Sequence, residues 1–404
     1  VKTAIENFRV TLIGKKKKIL FFDHVPILGG AEQSLLDILR VLDRSRFEPF
    51  LLLTNPGPVA ERARELGVPV AYISAPRSIL RRKRYNIKFF SPRSLWDAVR
   101  LVPVIWRVAA LIAREKIDIV HTNTLKTHLI GGIAGRLCGR RVVWHFRDIL
   151  IEKNLRSWMV WLSHSLSDHV IAVSQAVKKQ FGAGYPADRI TVIYNAIDSG
   201  EIEALAARKD AAGIRRELSL PPHCRLVGMV GQIARWKGQE CFIRAAAKLA
   251  PRFPDLRFVV IGDVLFDEWE YKTRLLELVK ELGLEQRVVF AGQIADVPPH
   301  FKALDVLVHC SVEPEPFGRV VIEAMALGVP VVAARGGAIN EIITDGADGL
   351  LVPSADARAL AEAVAALLDE PSRAEAMAGR ARDRSRCFEL TGTVSQVERI
   401  LSNL

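Results

Sequence analysis

The sequence alternates between two hydrophobic patterns. Short runs rich in β-branched and aromatic residues, typical of buried strands, are separated by longer amphipathic stretches, typical of helices. In the first half, the predicted strands are 19–23, 50–54, 69–74, 117–121, 142–146, 170–174 and 191–194. The predicted helices between them are 31–42, 59–66, 95–115, 127–137, 155–166 and 175–181. Apolar strands that alternate with helices indicate a parallel sheet.

The same pattern restarts after a polar stretch rich in Ala and Arg at 199–217. Its predicted strands are 226–230, 257–261, 288–291, 306–310, 330–334 and 350–352. Its predicted helices are 239–250, 270–282, 320–327, 339–344, 357–368 and 372–384. The chain is therefore predicted to be an α/β protein with two Rossmann-like, doubly wound parallel-sheet domains, at 1–198 and 199–388. Because such sheets bind ligands beyond the carboxyl ends of their strands, an interdomain cleft is the expected site.

Composition narrows the class of protein. The chain has 404 residues, of which 50% are hydrophobic, enough for two domains with large cores. Its five cysteines lie far apart and form no zinc-binding spacing, so we expect reduced thiols in a cytoplasmic protein. The apolar run at 101–113 is interrupted by Arg107 and is too short to span a membrane. Residues 1–18 lack the apolar core of a signal peptide, so we expect neither export nor a membrane anchor.

Positive charge is concentrated in the first half of the chain. Residues 1–200 carry 32 Lys and Arg against 16 Asp and Glu, whereas residues 201–404 carry 25 against 29. The densest basic segment runs from Arg77 to Arg93, contains no acidic residue and is interleaved with aromatic residues. Three interpretations stay open on these residues alone: a nucleic-acid groove, a surface for anionic lipid headgroups, or a solvated loop.

Glycine turns follow the first strand of each half. Gly29 and Gly30 open the first helix, where free backbone N–H groups can receive an anion. The third glycine of the dinucleotide-binding fingerprint is missing there, which argues against a nicotinamide-dependent dehydrogenase. In the second half, the segment VGQIARWKG places Arg235 and Lys237 beside a glycine turn, which suits a diphosphate. Either turn alone also fits a purely structural role.

The most specific motif is EPEPFGRVVIEAMA. Glu315 lies in a predicted loop, and Glu323 follows eight residues later within a predicted helix. Carboxylates bind ribose hydroxyls well because they accept hydrogen bonds in pairs. The turn at Phe317, Gly318 and Arg319 leaves backbone N–H groups free at the helix start. The residues around Glu323 are nearly all apolar, which favours a functional role over an idle surface position.

These motifs resemble those of the retaining family-4 glycosyltransferases, which have the GT-B fold. The two glutamates and the following GVPVVAARGG resemble the E-x7-E motif and glycine-rich stretch of that family. Similar segments occur in order along nearly the whole chain, namely GGAEQSLLDIL, VVWHFRD, AVSQAV, VIYNAID and GQIARWKGQ. The resemblance implies that the final segment, 389–404, is a helix that returns to the N-terminal domain.

The resemblance also implies which residues bind substrate. A nucleoside-diphosphate sugar, linked to UDP or GDP, would bind mainly to the C-terminal domain, with Glu323 on the ribose and Glu315 on the donor sugar. Lys237, with Arg235, would neutralise the diphosphate. His145, at the end of a predicted strand in the first half, would contact the donor sugar near the reacting centre. The helix start at Phe317, Gly318 and Arg319 would contact the sugar and phosphates. Gln293 and Ile294 would lie near the base, and Gly29 and Gly30 near the diphosphate.

The implied reaction transfers a sugar with retention of anomeric configuration, by attack of the acceptor on the same face that the diphosphate leaves. The chain contains no DxD motif, so we expect a metal-independent reaction without a cofactor. One position departs from the family pattern, because Gln232 stands where an arginine is usual. Arg235 is the nearby residue that can supply the missing charge.

The acceptor expected from the resemblance is a glycan or a lipid-linked glycan in cell-envelope or polysaccharide synthesis. The basic segment between Arg77 and Arg93 would then bind anionic lipid at the inner face of the cell membrane. Nucleic acid is not expected as a partner on this interpretation. Two alternatives remain: a nucleotide-sugar epimerase of the same fold, and a non-catalytic protein that binds nucleotide-sugar or nucleic acid.

Overall fold

The first half of the chain forms a seven-stranded parallel sheet in the computed structural model, which describes residues 16–76, 92–265 and 268–404. The strands are β1 (Lys17–Phe22), β2 (Phe47–Leu53), β3 (Val70–Tyr72), β4 (Ile119–Thr122), β5 (Arg141–Phe146), β6 (His169–Ala172) and β7 (Ile190–Val192). Their spatial order is β3-β2-β1-β4-β5-β6-β7, and all neighbours are parallel. The order reverses between β1 and β4, the point at which doubly wound sheets bind ligands.

In the described residues, six helices connect these strands. They are α1 (Gly30–Val41), α2 (Pro58–Glu65), α3 (Pro92–Arg114), α4 (Leu125–Leu137), α5 (Lys153–Leu166) and α6 (Gln175–Lys178). The core lies against the central strand, where Ile19, Leu20, Phe21 and Phe22 are fully buried. Such an uninterrupted apolar run is what a strand covered on both faces requires.

The second half forms a six-stranded parallel sheet of the same kind. Its strands are β8 (Arg225–Val230), β9 (Leu256–Ile261), β10 (Val288–Gly292), β11 (Val306–His309), β12 (Val331–Ala334) and β13 (Leu350–Val352), in the order β10-β9-β8-β11-β12-β13. The predicted two-sheet, doubly wound fold class is confirmed. Each predicted strand is present, with its ends shifted by a few residues.

The helices of the second half are more numerous than the hydrophobic pattern predicts. They are α7 (Ser199–Ala206), α8 (Ala211–Glu217), α9 (Gln239–Leu249), α10 (Trp269–Glu281), α11 (Pro298–Lys302), α12 (Arg319–Ala326), α13 (Ile339–Ile342), α14 (Ala357–Asp369) and α15 (Pro371–Ser385). The polar stretch at 199–217 contains α7 and α8. Their starts are fixed by capping, since the Asp198 and Asp210 side chains accept hydrogen bonds from backbone N–H groups of the first turns.

The chain divides into two compact units. Unit 1 contains the described residues up to Asn195 together with Leu390–Leu404, and unit 2 is Ala196–Glu389. The boundary lies a few residues before the predicted position, and the Ile197 N–H donates to the Phe388 carbonyl within unit 2.

The last helix, α16 (Leu390–Asn403), lies in unit 1. Its buried face consists of Leu390, Val394, Val397 and Leu401. The Lys17 ammonium donates to the Leu401 and Ser402 carbonyls at its end, at 3.1 and 2.7 Å. Among the described helices, none has both the length and the apolar composition needed to cross a membrane.

Candidate active site

In unit 2, neighbouring parallel strands bring Lys237 and Glu315 together. β8 pairs with β11, so the loops that follow these two strands leave the same edge of the sheet. Lys237 ends the loop after β8, and Glu315 lies in the loop between β11 and α12. The Lys237 Nζ is 2.9 Å from Glu315 Oε2 and 3.2 Å from Oε1. Two residues 78 positions apart therefore form a two-point, largely buried ion pair.

The Glu315 carboxylate has further partners at the end of β11 and just beyond it. The Ser311 hydroxyl donates to Oε2 at 2.9 Å, and the His309 Nε2 lies 3.4 Å from the same oxygen. Burial acts to raise the pKa of Glu315, but the Lys237 ammonium and His309 outweigh it and hold that pKa well below its usual range. Glu315 is therefore a fixed negative charge, and neutral pH leaves it without a proton to transfer.

Two glycines allow the loops to close around this pair. Gly238 has a φ of 82°, and a Cβ there would lie 2.1 Å from the Cys310 carbonyl oxygen. Gly337 has a φ of 58°, and a Cβ there would lie 2.1 Å from the Glu315 carbonyl oxygen. The Glu315 carbonyl accepts the Ala338 N–H at 2.9 Å. Side chains at either position would force the backbone away from the ion pair.

Arg235 and Lys237 belong to one short 3-10 turn directly before α9. The Arg235 guanidinium lies over the Tyr271 ring, 5.2 Å from its centre, and the Lys237 ammonium lies 4.2 Å from the centre of the Trp236 ring. Arg235 is exposed, so its charge is accessible to an anionic ligand. The Gln232 carbonyl, before the turn, accepts a hydrogen bond from the side chain of Gln239, the first residue of α9. This contact holds the loop after β8 against the start of α9.

Glu323 forms an ion pair within its own helix. It is half-buried on α12, and its Oε1 lies 3.3 Å from the Arg319 Nε one turn away. The Arg319 Nη1 also donates to the Ala196 carbonyl at 2.9 Å. Gly318 is the N-cap residue of α12, and the Phe317 side chain is buried against Phe388. Phe317 can therefore offer only its backbone to a ligand.

Gln293 and Ile294 line a cavity of about 560 Å³ elsewhere in unit 2. Its other lining residues include Lys209, Glu217 and His300, and none of them belongs to the Lys237–Glu315 cluster. The structure therefore does not bring the predicted base-binding residues into direct contact with that cluster.

In unit 1, polar side chains gather at the carboxyl ends of β1, β4 and β5. The Asn123 side chain donates to Asp23 at 2.6 Å and accepts from the Arg147 Nε at 2.5 Å. The other guanidinium nitrogens of Arg147 lie 2.6 Å from the Asn195 side-chain oxygen and 3.3 Å from the His145 Nδ1. His145, predicted to contact substrate, is thus one end of a buried hydrogen-bonded network.

His145 is 2% exposed. Burial lowers its pKa well below the usual range, and the neighbouring Arg147 charge lowers it further. Its Nε2 and both ring nitrogens of the adjacent His121 are buried without a hydrogen-bond partner in the described part of the chain. The two rings meet edge to face, with their centres 5.3 Å apart. His145 therefore presents a neutral ring with an unsatisfied nitrogen.

Gly29 and Gly30 lie at the N-terminus of α1, as predicted from the sequence, but a carboxyl group already occupies part of that position. The Gly29 N–H donates to the Glu32 Oε2 at 3.1 Å. Burial, together with the nearby Asp23, raises the pKa of Glu32 to about 8. The Gly29 N–H is therefore engaged by the protein itself, and the sequence analysis missed Glu32.

Sequence reasoning also missed His309, Ser311 and Arg147. Their one sequence signal is position, because each lies at or just beyond the carboxyl end of a predicted strand. No group of three or more His, Cys, Asp or Glu side chains in the described ranges is arranged to hold a metal ion.

Comparison with protein families gives two matches that together cover most of the chain. Residues 28–201 match Glycosyltransferase Family 4, and residues 210–384 match Glycosyl transferases group 1. Among solved structures, Anabaena Alr3699/HepE in complex with UDP-glucose is 30% identical over 96% of this chain and 100% of that chain, with a TM-score of 0.83. A glycosyltransferase from Rickettsia africae ESF-5 shares the fold at 20% identity, with a TM-score of 0.79 over 96% of this chain and 98% of that chain.

Curated relatives include a lipopolysaccharide core mannosyltransferase and a D-inositol 3-phosphate glycosyltransferase. The lipopolysaccharide core biosynthesis mannosyltransferase LpsB of Rhizobium meliloti is 33% identical over 45% of this chain and 52% of its own length. The D-inositol 3-phosphate glycosyltransferase of Corynebacterium aurimucosum is 29% identical over 77% of this chain and 68% of its own length. The matched region thus spans about half of the first of these relatives.

Proposed function

The chain belongs to the GT-B glycosyltransferases, and we propose that it transfers a sugar from a UDP-sugar to a glycan or lipid-linked acceptor in envelope or polysaccharide synthesis. The observation that carries the proposal is the buried Lys237–Glu315 ion pair in glycine-closed loops at the carboxyl edge of β8 and β11. The UDP and UDP-glucose complexes of HepE support UDP over GDP as the nucleotide.

Charge complementarity explains how unit 2 would activate a donor. Cleavage of the anomeric C–O bond places positive charge on the sugar ring and negative charge on the departing diphosphate. Lys237 and Arg235 lie on one turn, where they would stabilise the leaving group. Glu315 would orient the sugar and keep Lys237 in place, since its carboxylate contacts the ammonium with both oxygens.

We assign the remaining contacts by the resemblance. Glu323, released from Arg319, would accept hydrogen bonds from the ribose hydroxyls. The backbone at Phe317, Gly318 and Arg319 would contact the sugar and phosphates.

The three remaining contact regions are the base-binding loop, the first glycine turn and the strand-end histidine. Gln293 and Ile294 would lie near the base, Gly29 and Gly30 near the phosphates, and His145 would bind a sugar hydroxyl.

The proposed reaction retains anomeric configuration and requires no metal ion. The acceptor hydroxyl would attack on the face that the diphosphate leaves, and the diphosphate oxygen would take its proton. Neither Glu315 nor His145 is then required as a base, which agrees with the low pKa of both groups.

Nucleotide binding tests the proposal directly. A ligand that binds only the folded protein raises the melting temperature, and at one hundred times Kd the stabilisation is about 2.7 kcal/mol. We expect UDP to raise the melting temperature more than GDP or ADP does. In Lys237→Met, we expect UDP no longer to raise the melting temperature more than the other two nucleotides do. Lys248→Met, an exposed lysine on the helix that follows, is the matched control. Equal responses to all three nucleotides, or a full UDP response in Lys237→Met, would contradict the proposal.

We further propose that unit 1 contacts anionic membrane through the outer face of α3. The basic segment between Arg77 and Arg93 lies outside the described residues, apart from the helix backbone at 92 and 93. The described part of α3 is also basic. It carries Arg100, Arg107 and Arg114 at seven-residue intervals and has no acidic residue from 99 to 114. Trp106 beside them is 63% exposed. Cationic side chains with an exposed tryptophan suit the interface of an anionic bilayer.

Vesicle flotation tests this surface. We expect the protein to float with phosphatidylglycerol vesicles at low salt, and Trp106→Ser to weaken flotation. Trp161→Ser is the control, because Trp161 on α5 is 64% exposed and lies outside the proposed surface. Equal flotation of both variants, or none by the wild-type protein, would exclude this surface as the membrane contact.

A further inference from the structure

A continuous chain of hydrogen bonds links Asp23 to His145 across three adjacent strands of unit 1. It runs from the Asp23 carboxylate to the Asn123 amide, from there to the Arg147 guanidinium, and from Arg147 to the His145 Nδ1. Arg147 is 7% exposed, and it also donates to the Asn195 side chain. One buried cation thus ties three side chains together.

Chemistry fixes the direction of each hydrogen bond in this chain. A guanidinium has only donors, so every atom facing Arg147 must accept. The Asn123 oxygen therefore faces Arg147, and its NH₂ group faces Asp23. The His145 Nδ1 must likewise be the unprotonated nitrogen, which leaves the ring proton on Nε2.

The Nε2–H of His145 has no acceptor within the described chain. A buried donor without a partner destabilises the folded state, so proteins retain such groups mainly where they serve a purpose. His121, whose ring meets His145 edge to face, also has no hydrogen-bonded nitrogen. Both histidines lie near the carboxyl edge of the sheet, where doubly wound folds bind ligands.

We infer that Arg147 is a positioning residue that fixes His145 as a neutral imidazole with its ring proton on Nε2, so that the sugar contact already proposed for His145 is a hydrogen bond donated by Nε2–H. The inference rests on the proposed glycosyltransferase function. It assigns His145 a binding role, without proton transfer, and it assigns Arg147 a role that acts through His145.

Two replacements of His145 test the donor role. The side-chain nitrogen of Gln reaches the position of Nε2, whereas that of Asn reaches only the position of Nδ1. Loss of one hydrogen bond to an uncharged sugar oxygen costs roughly tenfold in rate. We expect His145→Asn to lose about that factor in kcat/KM for UDP release from the UDP-sugar, and His145→Gln to retain most of the activity. Equal losses in the two variants would overturn the donor role.

A double-mutant cycle tests whether Arg147 acts through His145. Arg147→Gln replaces the cation by an amide that can donate or accept, so His145 can then take either tautomer. We expect Arg147→Gln to lose about as much activity as His145→Asn, and the double variant to lose no more than either. Losses that multiply would show that Arg147 has a merely structural role. Arg141→Gln, at the exposed start of the same strand, is the control for loss of an arginine.

Nitrogen NMR of ¹⁵N-histidine-labelled protein without nucleotide gives a readout independent of turnover. The His145 signals, identified by their loss in His145→Asn, should show the proton on Nε2 in the wild-type protein and a mixture of tautomers in Arg147→Gln. A proton on Nδ1 in the wild-type protein would overturn the inference whatever the activity. If instead the protein shows the proton on Nε2 but binds no nucleotide-sugar, the inference about the tautomer holds. The proposed function, and with it the sugar contact of His145, would then be overturned.

Discussion

Lys237 and Glu315 depend on each other for their burial. Their side chains are 14% and 10% exposed, so either charge alone would be poorly solvated. Removing one partner of a buried ion pair leaves the other uncompensated, at a cost of roughly 3–5 kcal/mol. Lys237 is also the proposed contact of the diphosphate and Glu315 that of the donor sugar, so both residues are important for stability and for the proposed function.

We therefore expect Lys237→Met to lower the free energy of unfolding by about 3 kcal/mol. The double variant Lys237→Met, Glu315→Gln should be more stable than Lys237→Met alone, because no buried charge remains. Urea denaturation of the wild-type protein, the two single variants and the double variant measures this coupling. Additive losses would mean that the two charges are stabilised independently.

Glu32 gives the stability of the protein an unusual pH dependence. Its pKa is about 8 in the folded protein against 4.5 as the ordinary value. Between these two values the folded state keeps a proton that the unfolded state has lost, so stability falls as pH rises, by up to about 1.4 kcal/mol per pH unit. Glu32→Gln keeps an oxygen for the Gly29 N–H but removes the titration.

We expect Glu32→Gln to be more stable than the wild-type protein at pH 8.5, and to gain much less at pH 5. Denaturation at both pH values gives the comparison, with Glu65→Gln at an exposed position of α2 as the control. An equal gain at both pH values would show that titration of Glu32 does not contribute.

At the scale of elements, the site depends on how closely the loops after parallel strands approach each other. β8 and β11 are neighbours, and the turn after β8 contacts the end of β11 at Gly238, where a Cβ would lie 2.1 Å from the Cys310 carbonyl. Gly346 provides a comparison, since its φ of 75° is similar but a Cβ there would have no neighbour within 4 Å. A side chain at Gly346 would therefore cause backbone strain alone, whereas a side chain at Gly238 would cause backbone strain and a steric collision.

We expect Gly346→Ala to cost about 1 kcal/mol, the strain of a left-handed residue. Gly238→Ala should cost more and should also weaken UDP binding, because the collision displaces the turn that carries Lys237. Melting temperatures with and without UDP measure both effects. Similar UDP responses in the two variants would show that the close approach is unimportant for binding.

At the scale of the whole molecule, the chain crosses between its two units twice. Leu390–Leu404 is part of unit 1, where α16 buries an apolar face and binds Lys17 through its last carbonyls. The Asp43 N–H also donates to the Glu398 carboxylate at 2.7 Å. We therefore expect the final helix to stabilise unit 1, although the helix follows unit 2 in the sequence.

Deleting residues 390–404 should destabilise unit 1 and leave unit 2 able to bind UDP. In urea, we expect the unfolding transition of unit 1, which UDP does not shift, to move to a lower urea concentration. The unfolding transition of unit 2 should still move to a higher urea concentration when UDP is added. Loss of the UDP response in the truncated protein would mean that unit 2 also depends on the final helix.

The strands and most helices follow from the sequence because each depends on local hydrophobic pattern. The runs at 19–22 and 226–230 are apolar without interruption, which is typical of a strand buried on both faces. The capped helices α7 and α8 escaped prediction because their residues are mostly polar or small, and their starts depend on single aspartates. The positions of Lys237, Glu315 and His145 beyond strand ends were likewise visible as motifs.

The sequence alone determined the two-sheet fold and a set of candidate residues at strand ends. Only the tertiary structure decided which of them meet. The pairing of Lys237 with Glu315 depends on β8 and β11 being neighbours. The tautomer of His145 depends on a guanidinium held by Asn123 and Asn195. Such contacts join residues distant in sequence, and strand order in the sheet, which local pattern does not encode, brings most of them together.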